Sequence, residues 1–283
     1  MSSSPLVVAH RGASEDEPEH TLAAYAAAIE AGADALECDV RLTADGHLVC
    51  VHDRRVDRTS NGRGVVSTLE LAELEGLDWG SWKSLAASLP EGWDVPDVVE
   101  LGERSKLLTL RRLLRVVAES ARHVQVVIET KHPTRYGGLV ERSLVEVLGE
   151  FGWNKPGPDG VSRVRVMSFS MLALRRMRVL APRVPLALLM DRMLPGFGDG
   201  ALPRGVGTAG ISVSMLRTHP EYVAKAHRRG RTVHVWTVDE PEDVELCLAA
   251  DVDAVITSRP RAVLHRLGRP PWRNPPARQD RVG

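Results

Sequence analysis

The chain has 283 residues, and 37 Lys and Arg against 37 Asp and Glu give a formal net charge of zero. Hydrophobic residues make up 43% and charged residues 26%, an ordinary globular composition for one α/β barrel or two small domains. Zero charge with no basic block leaves no footprint for a run of phosphates, so nucleic acid is not an expected partner. No run of about 18 apolar residues occurs, so no membrane insertion is expected. The first strand-like segment starts at Leu6 without a basic head, apolar stretch or cleavage site before it. The expected location is therefore cytoplasmic. Cys38, Cys50 and Cys247 form no CxxC pair and read as small buried hydrophobes, not as a disulfide framework or zinc site.

In chain order, short apolar β-branched runs alternate with helical patterns. Strands are expected at 6–9, 35–40, 48–52, 124–130, 164–168, 185–190, 210–214, 232–238 and 254–257. Helices are expected near 19–31, 68–76, 109–121, 138–151, 171–180, 219–229, 240–250 and 260–267, several opened by capping or Pro-Glu signals. Such alternation reads as βαβ units around a parallel sheet. Segments 35–42 and 48–52 are the exception. Only Thr43-Ala44-Asp45-Gly46-His47 separates them, Asp-Gly is a hairpin signal, and a parallel crossover needs a dozen residues or more. The second segment must return antiparallel, which leaves eight parallel strands. That count predicts a (β/α)8 TIM barrel spanning 1–267, with an antiparallel hairpin strand after β2. Segment 77–108 breaks the alternation and reads as an insertion, and 268–283 as a flexible Pro/Arg-rich tail.

Active sites of such barrels lie where strands end. His10-Arg11-Gly12 ends the first strand, Glu37 and Asp39 lie two apart on one face of the second, and His52-Asp53 ends the hairpin. Glu129-Thr130-Lys131 and Trp236-Thr237-Val238 end two later strands. A turn centred on Asp45-Gly46 would set His52 opposite Asp39, and a turn one residue earlier would set it opposite or beside Glu37. Three carboxylates without sulfur suit a hard divalent cation, Mg²⁺ or Ca²⁺, over zinc. Two histidines beside them suit proton transfer to and from a phosphate ester. Arg11 and Lys131 either hold phosphate oxygens or neutralise the acids. His47, His123, His227 and His265 read as structural, and the leucines at 107, 110, 113 and 114 as core. Gly62-Arg63-Gly64 is a loop, since no strand feeds it.

HRG at 10–12, PEHT at 18–21, GADALECDVRLTADGHLVCVHD at 32–53, IETKHP at 128–133 and WTVDEPED at 236–243 resemble the glycerophosphodiester phosphodiesterases in order and spacing. The resemblance runs from about Val7 to Pro260. It implies a TIM barrel that hydrolyses glycerophosphodiesters to sn-glycerol 3-phosphate and an alcohol. It further implies an acid/base pair of His10 and His52, and Glu37, Asp39 and Glu129 as ligands of one Mg²⁺ or Ca²⁺. Arg11 then matches a phosphate contact and Lys131 a charged neighbour of phosphate and metal. Trp236 matches a wall near the glycerol, and Glu19 a residue that orients the site from behind. His20 stands where the family more often has Asn, and Ser258 where an Asp often follows the last strand. Two alternatives are a lysophospholipase D-like or sphingomyelinase D-like phosphodiesterase and a catalytically silent phosphate-ester-binding barrel. The silent barrel predicts loss of one of the two histidines or three acids, and all five are present.

Overall fold

The computed structural model describes residues 4–83, 105–134 and 137–269. Nine strands form one sheet: β1 (Leu6–His10), β2 (Ala35–Leu42), β3 (Leu48–Cys50), β4 (Gln125–Thr130), β5 (Val164–Ser168), β6 (Leu186–Met190), β7 (Thr208–Ser212), β8 (Thr232–Trp236) and β9 (Ala254–Thr257). Eight of them pair in parallel in the order β1-β2-β4-β5-β6-β7-β8-β9, and β9 closes on β1. The barrel is the expected one, and β3 hangs antiparallel on β2. Most of the segment at 77–108, and the tail from 270 onward, lie outside the described residues.

Strand alternation sorts side chains into two cores. Val8, Ala35, Val127, Met167, Ala187, Leu189, Ala254 and Ile256 fill the lumen as one cluster. Their neighbours in sequence, such as Val7, Leu36, Ile128, Val166 and Leu188, pack outward against the helices in a much larger cluster. The lumen parity, continued toward the C-terminal mouth, is that of His10, Glu37, Asp39, Glu129, Lys131 and Trp236. The same alternation that builds the apolar floor therefore sets the polar groups above it.

Helix boundaries follow local caps. Helix α1 (Leu22–Ala31) starts at Thr21, whose hydroxyl accepts from the Ala24 amide, and ends on Gly32 in the left-handed region. The expected strand at 210–214 runs instead from 208 to 212. Ser212 caps a short helix, Val213–Thr218, whose first two residues fall within the expected strand, and its hydroxyl accepts from the Met215 amide. Ser-Val-Ser reads as extended by propensity, and the cap overrides it.

The hairpin register differs from that of a two-residue turn on Asp45-Gly46. Val40 pairs with Cys50 and Leu42 with Leu48, while the Thr43 amide donates to the His47 carbonyl at 2.9 Å. The loop is therefore three residues, Ala44-Asp45-Gly46, with Gly46 at φ 89°. The Val51 amide donates to the Asp39 carbonyl at 3.1 Å, so His52 falls level with Cys38, not opposite Asp39 but beside Glu37. Cys38 and Cys50 are buried thiols, as expected.

Candidate active site

Register places the acids. Glu37 on β2 pairs with His10 on β1, and Asp39 pairs with Glu129 on β4. Glu37, Asp39 and Glu129 each offer one oxygen, and these atoms lie within 4.8 Å of one another. All three side chains are buried. Two cations enter the cluster. Lys131 Nζ lies 2.9 Å from Asp39 Oδ1 and 2.8 Å from Glu129 Oε1. Arg11 donates its amide to Glu37 Oε2 at 3.0 Å and brings Nε to 3.3 Å from Asp39 Oδ2.

Arg11 reaches both acids from a left-handed backbone, φ 59°, followed by Gly12 at φ 87°. A Cβ on Gly12 would stand 2.6 Å from the Ala24 backbone, so the loop fits against α1 only with glycine there. His20 is left-handed as well, φ 62°, and its amide donates to the Arg11 carbonyl at 3.0 Å. Its ring sits behind the cluster, with Nε2 2.9 Å from Asp39 Oδ2 and Nδ1 2.8 Å from the Tyr25 hydroxyl. That hydroxyl donates to the Glu37 carbonyl at 3.1 Å. The residue that departs from the commoner Asn thus still contacts Asp39.

The two histidines differ in their backing. His52 Nδ1 lies 2.7 Å from Asp53 Oδ1. Arg58 bridges Asp53 at 2.6 Å and Glu19 at 2.7 Å, and Glu19 accepts from Arg11 at 3.1 Å. A chain of alternating charge therefore joins His52 to the acids. Among the described residues His10 Nδ1 faces only a hydroxyl, Ser258 Oγ, at 3.4 Å. Sequence reasoning named Glu19 but passed over Arg58 and gave Asp53 no role. Spacing alone does not distinguish Arg58 from the other arginines of the same loop. Arg41 donates to the His52 carbonyl at 3.0 and 2.7 Å. Across the mouth, Trp236 donates its indole N–H to the Gly210 carbonyl at 3.0 Å and meets Phe169 edge-on at 5.6 Å.

Electrostatics separates the three acids. Burial works against the Asp39 charge, but the His20 hydrogen bond, Lys131 and Arg11 hold its carboxyl well below the usual range. Burial and then Asp39 push Glu37 well above that range, and push Glu129 up to about 8. The cluster is thus short of positive charge: two cations cannot keep three buried carboxylates ionised. An all-oxygen set in that condition fits a hard divalent cation. Burial and then Arg11 push His10 down to about 3, and burial also lowers His52, against the pull of Asp39. Burial opposes ionisation of Glu19 and Asp53, yet their Arg58 hydrogen bonds bring both down to about 2.

Residues 10–262 match the model of the Glycerophosphoryl diester phosphodiesterase family. The chain belongs to that family. It is 45% identical over 260 residues to a Mycobacterium tuberculosis protein named "Probable glycerophosphodiester phosphodiesterase 1", covering 92% of this chain and 91% of the relative. It is 32% identical over 263 residues to the glycerophosphodiester phosphodiesterase of Caldanaerobacter subterraneus, covering 92% and 96%. An Oleispira antarctica phosphodiesterase, solved with its product sn-glycerol-3-phosphate, shares the fold with a TM-score of 0.77 at 24% identity, covering 93% and 97%. This glycerophosphoryl diester phosphodiesterase family member is thus an enzyme of the phosphoric diester hydrolase class, as the sequence predicts. No described helix is long and apolar enough to cross a membrane.

Proposed function

We propose that this enzyme is a divalent-metal-dependent glycerophosphodiesterase that releases sn-glycerol 3-phosphate and an alcohol through a His10/His52 acid/base pair. The observation that carries the reading is the convergence of three buried carboxylates and two histidines on one barrel mouth. Glu37, Asp39 and Glu129 would hold the cation, which when bound supplies positive charge beside the phosphate. Arg11 and Lys131 border the same space and meet the phosphate oxygens, stabilising the charge that develops there. Trp236, held by its N–H bond to Gly210, walls the glycerol side.

The unequal backing of the histidines supports a division of roles between them. A proton on His52 is stabilised by Asp53 at 2.7 Å, so His52 is the group fitted to protonate the leaving oxygen. His10, pushed down to about 3, is neutral at pH 7 and fitted to accept a proton from the attacking oxygen. Glu19 and Arg58 orient this set without touching substrate. The cytoplasmic location and the soluble diester substrate go together in this reading.

Incubating the protein with glycerophosphocholine and a lysophospholipid, with and without chelator, tests it. Chelator-sensitive release of sn-glycerol 3-phosphate from glycerophosphocholine is expected. Activity confined to the lysophospholipid favours the lipase D-like alternative, and none on either favours the silent barrel.

A further inference from the structure

The alternation that points Glu37 and Asp39 into the site continues to Arg41, one step nearer the mouth. Two of its guanidinium nitrogens are taken by the His52 carbonyl, and among the described residues Asp39, Glu129 and Asp53 act on its charge without forming a close salt bridge. Arg54, two residues beyond His52, is exposed, and its side chain has no hydrogen-bond or ion-pair partner among them. Both arginines line a cavity of about 480 Å³, together with Lys131 and the hydroxyls of Ser67, Thr68 and Thr134. Its described lining contains three cations, three hydroxyls and no carboxylate. Elsewhere on the mouth the arginines are compensated: Arg11 by Glu19 and Asp39, Arg58 by Glu19 and Asp53.

The cavity's place in the barrel says which end of a substrate it meets. Its Lys131 follows β4, and β4 stands four strands from β8, which carries Trp236, around a barrel of eight. The two are therefore on opposite sides of the lumen, with the acid cluster between them and nearer the cavity. A diester with its glycerol against Trp236 and its phosphate at the cluster directs its other alcohol into the cavity. We propose that this cavity is the leaving-alcohol subsite and selects glycerophosphodiesters whose alcohol carries a second phosphate. The inference rests on the glycerophosphodiester reading above. Lys131 is already paired with Asp39 and Glu129, so the attraction falls to the guanidinium groups of Arg41 and Arg54, which favour a phosphate monoester or diester and repel a quaternary ammonium such as choline.

The test compares kcat/KM for 1,3-bis(glycerophospho)glycerol with that for glycerophosphocholine, in the wild type, Arg54→Ala and Arg54→Glu. The wild type is expected to prefer the doubly phosphorylated substrate by about tenfold or more. Arg54→Glu is expected to reduce that preference at least about tenfold and Arg54→Ala by less, mainly through KM, since the contact is remote from the reacting bond. A wild-type ratio near one, or a ratio that neither variant moves, overturns the subsite while leaving the catalytic reading intact. Hydrolysis of neither substrate overturns the catalytic reading itself.

Discussion

Asp39 and Glu129 are register partners on adjacent strands, and they share one ammonium: Lys131 Nζ stands within 2.9 Å of each. The arrangement is unequal, because Asp39 is held ionised by three positive or proton-donating neighbours while Glu129 is pushed up to about 8. A divalent cation would relieve the second carboxylate. Proton release should accompany binding, and affinity should rise from about pH 6 toward 8 as Glu129 ionises more readily. Isothermal titration of metal-free protein with Mg²⁺ or Ca²⁺ in buffers of different ionisation enthalpy reads both quantities. Binding that is independent of pH across this range would contradict the assignment of Glu129.

The same shift carries a stability sign. A carboxyl whose folded pKa is raised from 4.5 to about 8 leaves the native state holding the extra proton between those values. Metal-free protein should therefore lose stability as pH rises from about 4.5 to 8, and saturating metal should reduce the loss. Thermal or urea unfolding at several pH values measures this. Glu129→Gln should flatten the metal-free profile.

His20 tests how much the acids depend on what stands behind them. Its ring ties Asp39 to Tyr25, and partners of metal ligands are typically worth about 10–100-fold in affinity. His20→Leu should weaken the cation by about that factor, and His20→Asn should recover much of it by restoring a donor. Titration of the two variants with the cation decides the matter, and equal affinities in both would exclude a donor role.

The histidines should separate by leaving group. His10→Ala and His52→Ala are each expected to lower kcat on glycerophosphocholine by about a hundredfold or more, with the circular dichroism spectrum retained. A nitrophenyl ester departs without needing a proton. It should restore turnover to His52→Ala and not to His10→Ala. Rescue of His10→Ala instead would reverse the two roles.

Gly12→Ala probes the loop that carries Arg11. The substitution combines φ 87° with a Cβ 2.6 Å from the Ala24 backbone. A loss of about 2–4 kcal/mol in chemical denaturation is expected, together with reduced activity, since His10 and Arg11 ride on the same turn.

How far the sequence foretold all this depends on the physics involved. Strand count and lumen parity were legible, because alternation and the shortness of the 43–47 link leave few topologies. The residues that form the acid cluster were legible for the same reason. The hairpin register was not, since Ala44-Asp45-Gly46 admits two- and three-residue loops, and the choice rests on Gly46 in the left-handed region and on Thr43 bonds to His47 and Asp45. The Asp53–Arg58–Glu19 chain escaped because it joins residues 39 apart, a closure that only the folded loop makes. That Arg41 and Arg54 form no salt bridge among the described residues escaped likewise, because pairing is a property of three-dimensional neighbours.

The most direct measurement is the release of sn-glycerol 3-phosphate from glycerophosphocholine by exhaustively chelated protein, before and after Mg²⁺ or Ca²⁺ is returned, in the wild type and in Asp39→Asn. Turnover should vanish on chelation, return with the cation in the wild type, and stay at least about a hundredfold lower in Asp39→Asn at the same cation concentration. Undiminished turnover by the chelated wild type, or full activity of Asp39→Asn, would contradict a site built on Glu37, Asp39 and Glu129.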